Sequence, residues 1–166
     1  MTTSAVTVRP LHRPPLGVRL VFGFLGLAVV LFNVALMLSD QAPGFLRRIF
    51  GDALDRLSDR IDAGARIPAE QLPASDTVVH VLVWGAATLL IGLTVWTWRG
   101  LALAALGLLA VSACVEIAQG AYSSSRSVEA SDAVANALGV GVGVALAAVC
   151  YLAWSAGAAI FGRTSS

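Results

Sequence analysis

Apolar residues dominate four stretches of the chain, 16–38, 77–98, 101–119 and 132–154. At about 1.5 Å per residue, runs of this length reach about 28–35 Å, which matches a hydrocarbon core of about 30 Å. They predict an all-α, polytopic membrane protein with four transmembrane helices in a single domain spanning 1–166. The first run is too long for the apolar core of a signal peptide, and "SDQAPGF" follows it where a small-residue cleavage site belongs, so it is expected to stay attached. Flanking it is a polar tail, 1–15, and the chain ends in a second tail, 155–166.

Between the first and second spans, 39–75 follows a different rhythm. Phe45, Leu46, Ile49, Phe50, Ala53, Leu54, Leu57 and Ile61 recur with helical spacing. Arg47, Arg48, Asp52, Asp55, Arg56, Asp59, Arg60 and Asp62 fill the opposite face. This pattern predicts an amphipathic helix, closed by Gly64 and followed by a loop with Pro68 and Pro73. It fits a helix lying in the membrane interface and equally a surface helix covering the bundle. Ser75 or Asp76 is placed to cap the second span and Ser131 or Asp132 the fourth; "WRG" at 98–100 reads as the tight connection between the second and third.

Composition agrees with a membrane protein: 57% of residues are hydrophobic, 13% are charged and the mean hydropathy is +0.80. A net charge of +1 with no basic patch interleaved with aromatics argues against nucleic acid as a partner. Every basic residue is Arg, and with the Ala and Gly content this suggests a GC-rich, bacterial genome. Cys114 and Cys150 both sit inside apolar runs and read as buried free thiols.

Charge also suggests an orientation. Four spans put both termini and the 98–100 turn on one side, with Arg9, Arg13, Arg19, Arg99 and Arg163 and no acid. The other side carries six arginines and all ten acids, most of them in one long, nearly neutral segment. The short, purely basic flanks place the termini in the cytoplasm.

That orientation gathers polar residues at the outer face. Asp76 and His80 are one turn apart at the start of the second span, Glu116 and Gln119 close the third, and Asp132 and Asn136 open the fourth, with Arg126 in the loop 120–131. A charged side chain inside a bilayer costs about 2.5–3.5 kcal/mol at mid-depth by insertion scales, so these seven groups call for mutual pairing across the helix ends. Asp76 and Asp132 are read equally well as N-caps, and His80 by itself as a hydrogen-bonded interior residue. Glu116 is harder to dismiss, because a carboxylate at a helix C-terminus opposes the dipole. Asn33, Thr88, Thr94 and Thr97 fit interhelical hydrogen bonding, and Gly139 and Gly143 permit a close helix contact without specifying a dimer.

In this order, "D-x-x-x-H" (Asp76, His80), "E-x-x-Q" (Glu116, Gln119) and Arg126, Asp132, Asn136, Gly139 and Gly143 resemble the VanZ-like family of small bacterial membrane proteins. The likeness covers 76–143, and the first span and amphipathic segment fit the family's layout. One departure is Thr77, where the family usually has Lys; Arg126 or Arg66 would then have to supply that charge. The resemblance implies a multi-pass protein of the bacterial cytoplasmic membrane, linked to reduced teicoplanin sensitivity, with no defined reaction.

Three functions compete. The first is binding or modification of a membrane lipid or lipid-linked cell-wall precursor at Asp76, His80, Glu116, Gln119, Arg126, Asp132 and Asn136, with Arg126 meeting phosphate. The second is a membrane-embedded hydrolase or transferase acting on a lipid-phosphate substrate, with His80 and Asp76 or Glu116 as general acid and base. In that version Ser123–Ser125 are weak nucleophile candidates. His80, Asp76, Glu116 and Asp132 also offer ligands for a divalent cation, although no compact metal motif is present and no cofactor is evident. The third is a structural or partner-binding bundle. Oligomeric state is not legible from the chain.

Overall fold

The computed structural model describes residues 12–38, 56, 74–122 and 130–161. Four helices make up nearly all of it: α1 (Leu16–Met37), α2 (Ala74–Val95), α3 (Trp98–Tyr122) and α4 (Ala130–Phe161). All four are long and apolar enough to cross a membrane, and no strand occurs among the described residues. Large hydrophobics such as Phe24, Leu31, Leu103, Ile117, Val149 and Leu152 face outward, as lipid-facing positions should. The fold is a four-helix membrane bundle.

α2 is the central helix and packs against all three others, most extensively against α4. The two run parallel, and glycines let them approach. A Cβ at Gly139 would lie 2.7 Å from the Val81 carbonyl oxygen, and one at Gly143 would lie 2.5 Å from that of Gly85. The Gly139/Gly143 pair is therefore used inside the chain, as the seam between the second and fourth spans. α1 runs antiparallel to α2: Gly23 faces Thr94, Gly26 faces Ile91, and the Arg19 Nε–H donates to the Thr94 carbonyl at 2.8 Å. Continuing that register places Asn33 level with Trp84 and Met37 level with His80.

The connection between α2 and α3 lies at Trp96–Thr97, earlier than the 98–100 turn expected from sequence. Trp96 adopts φ 48°, a left-handed conformation uncommon outside glycine, and this ends α2. Thr97 then caps α3, its Oγ1 accepting the Gly100 N–H at 3.1 Å. The strained tryptophan is fixed by its surroundings. Its ring lies tilted 4.6 Å from that of Tyr151 and edge-on 6.2 Å from that of Trp154, and its Nε1–H donates to the His12 carbonyl at 2.8 Å. Trp98 meets Tyr151 edge-on at 5.4 Å, and the Tyr151 hydroxyl donates to the Gly92 carbonyl. Three of the chain's four tryptophans thus gather at one end of the bundle, where an aromatic belt meets a membrane surface.

Several expectations need correction. α2 starts at Ala74 and ends at Val95, α3 continues to Tyr122, and α4 runs seven residues past 154, to Phe161. The threonines do not bridge helices. Thr88 and Thr94 return their hydroxyls to Trp84 and Leu90 carbonyls of their own helix, and Thr97 is the cap described above. Both cysteines are free, but Cys114 is exposed on the lipid face and Cys150 only half-buried. The amphipathic segment, of which Arg56 alone is described and is helical, otherwise lies outside the described residues.

Candidate functional site

At the end of the bundle away from the tryptophans, the core becomes polar. His80 projects from α2 about 22 Å along the helix from Val95, and it is buried. Glu116 and Gln119 come from α3, and Asn136 from α4; all three are buried, Glu116 to 6% exposure. The seam of glycines explains the meeting of His80 and Asn136. Only where α2 and α4 nearly touch can an imidazole and a short amide reach each other.

A chain of hydrogen bonds joins three spans. His80 Nδ1 lies 2.8 Å from Asn136 Oδ1, and Asn136 Nδ2 donates to Glu116 Oε1 at 2.9 Å. The amide fixes the direction of the chain. Its NH₂ faces the carboxylate, so its carbonyl faces the imidazole, and Nδ1 must carry the proton. In the neutral imidazole Nε2 then holds the lone pair. Nearby, Gln119 Nε2 donates to the Met37 carbonyl at 2.5 Å and ties the end of α1 to α3.

Asp132, in the first turn of α4, is half-buried. One ring nitrogen of His80 and one carboxylate oxygen each of Glu116 and Asp132 all lie within 4.8 Å of one another. Two carboxylates and an imidazole from three spans therefore face a common point.

Of the seven residues expected at the site, His80, Glu116, Gln119, Asp132 and Asn136 occupy this one end of the bundle. Asp76 lies one turn from His80 on α2, but its side chain is outside the described part of the structure, as are Arg126 and the serines 123–125. Two relations differ from expectation. His80 and Glu116 are not a direct acid–base pair, because Asn136 stands between them. Glu116 is not at the end of its helix, since α3 continues six residues beyond it, so burial rather than the dipole makes its charge costly.

Asn33 of α1 is the polar residue whose setting the sequence did not indicate. It is completely buried, and neither its Oδ1 nor its Nδ2 bonds to a protein atom. The Trp84 Nε1–H is in the same state. The available signal was a single amide one turn before the end of the first span, on the same face as Met37. Sequence spacing alone cannot tell an interhelical bond from an amide turned toward something else.

No family model matches the chain. Nor is any curated protein or solved structure similar to it.

Proposed function

We propose that this is a VanZ-like cell-envelope membrane protein that binds the polar head of a membrane lipid or lipid-linked cell-wall precursor in the site formed by His80, Glu116, Gln119, Asp132 and Asn136. The order of the sequence motif assigns Asp76 and Arg126 to the same ligand. The carrying observation is the convergence of His80, Glu116 and Asp132 from three spans within 4.8 Å, inside a bundle whose outer surface is apolar. Ionisable side chains at that depth are costly, and where they occur they mark ligand or proton paths. A lipid reaches such a site laterally with its tails in the bilayer, so only its head need be desolvated.

In this reading the site faces the outside of a bacterial cytoplasmic membrane, with both termini in the cytoplasm, and the phenotype is altered sensitivity to teicoplanin. The family assignment rests on the order and spacing of the motif residues. Alanine at His80 or Glu116 is expected to abolish lipid retention and the sensitivity phenotype while the protein still accumulates. Unchanged retention and sensitivity in both variants would refute the proposal.

One observation favours a second reading, a membrane hydrolase or transferase. The bond to Asn136 holds the His80 ring in a defined tautomer, as a general base requires. Turnover of a lipid-phosphate substrate by the purified protein, lost in His80→Ala, would establish it.

A further inference from the structure

We infer that His80, Glu116 and Asp132 form a binding site for one divalent transition-metal cation of the zinc or manganese type. The inference rests on the proposed headgroup site and adds a metal-held positive charge to it. Its geometry begins with the 4.8 Å limit within which one ring nitrogen of His80 and one oxygen of each carboxylate lie. Ligands bonded tetrahedrally to one ion at about 2.0–2.2 Å stand about 3.3–3.6 Å apart. Closing the difference from the 4.8 Å limit takes up to about 1.5 Å of movement, shared between the rotating carboxylates and the imidazole.

The donor set selects the class of ion. A calcium site needs six to eight oxygens in a flexible cage, and magnesium keeps most of its waters around one or two carboxylates. An imidazole nitrogen beside two carboxylates suits zinc, manganese or iron instead. Three protein ligands also leave at least one coordination position open, as in sites where a metal holds water or a substrate oxygen.

Asn136 supplies the support that metal-bound histidines usually have. Its carbonyl takes the Nδ1 proton of His80, which leaves the Nε2 lone pair to bind the ion, and its NH₂ steadies Glu116. A bound dication would also offer a phosphate-bearing head a ligand position at this site.

The test uses the full chain purified in detergent, stripped with EDTA, reloaded with zinc or manganese and desalted, with metal content read by mass spectrometry. One equivalent per chain is expected in the wild type, and cobalt loading should give the visible absorption of a low-symmetry site. Glu116→Gln and His80→Ala should lose the ion. Asn136→Ala, which keeps all three ligands, should weaken its affinity about 10–100-fold. Less than a tenth of an equivalent in folded wild-type protein, or retention unchanged in Glu116→Gln, overturns the inference. So does a Glu116-dependent lipid site in metal-free protein, which leaves the headgroup reading standing. Stoichiometric metal with lipid retention indifferent to His80 and Glu116 supports the metal site and removes the headgroup reading.

Discussion

The amide of Asn136 satisfies His80 and Glu116 at once only in one orientation, so the hydrogen-bond chain through it is directional. Replacing it with leucine keeps the branching at Cγ and removes both bonds. Each buried polar group left without a partner costs about 1–3 kcal/mol. Asn136→Leu is therefore expected to destabilise the bundle by about 2–4 kcal/mol, measured by unfolding in mixed micelles. A loss below about 0.5 kcal/mol would mean that the chain contributes nothing. At the other end, Thr97→Ala removes the cap on α3 and should cost about 1 kcal/mol. Sequence made the site residues legible because charge and amide groups stand out in apolar runs. It missed the bridging role of Asn136 because an i, i+4 relation within one helix says nothing about the helix it faces. Thr97 was hidden for a related reason: the turn was placed at 98–100, two residues late, and a cap cannot be recognised without its boundary.

The helices themselves were legible from hydropathy, since the bilayer's thickness fixes how long an apolar run must be. Their ends were not, because helical hydrogen bonding continues through polar residues such as Gln119 and Ser131 as readily as through leucine. The pairing of helices was half visible in the glycines. Gly139 and Gly143 announce a close contact, but only the structure identifies α2 as the partner. This seam yields a paired prediction. Gly143→Ala places a methyl 2.5 Å from the Gly85 carbonyl oxygen, whereas Gly141→Ala meets nothing within 4 Å. The first should cost about 1–3 kcal/mol and lengthen the His80–Asn136 separation; the second should be neutral or slightly stabilising. Equal effects in the same unfolding assay would show that α2 and α4 are not pressed together at this seam.

Across the whole molecule, a tryptophan-rich end and a polar end stand at opposite ends of one bundle, which is the polarity a membrane protein needs to present a site to one leaflet. The short basic flanks of the spans favour a cytoplasmic position for the tryptophan-rich end. Single cysteines introduced at Ser4 and Ser165 into a variant lacking Cys114 and Cys150 should resist an impermeant maleimide in intact cells and react after lysis. Labelling of either in intact cells would invert the proposed orientation. Native mass spectrometry of the protein released from mild detergent tests most directly what the polar end holds. Wild type should carry one bound lipid or lipid-linked phosphate per chain, and Glu116→Gln, at equal expression and folding, should carry at least tenfold less. Equal lipid occupancy in the two proteins would contradict a headgroup site at His80, Glu116 and Asp132.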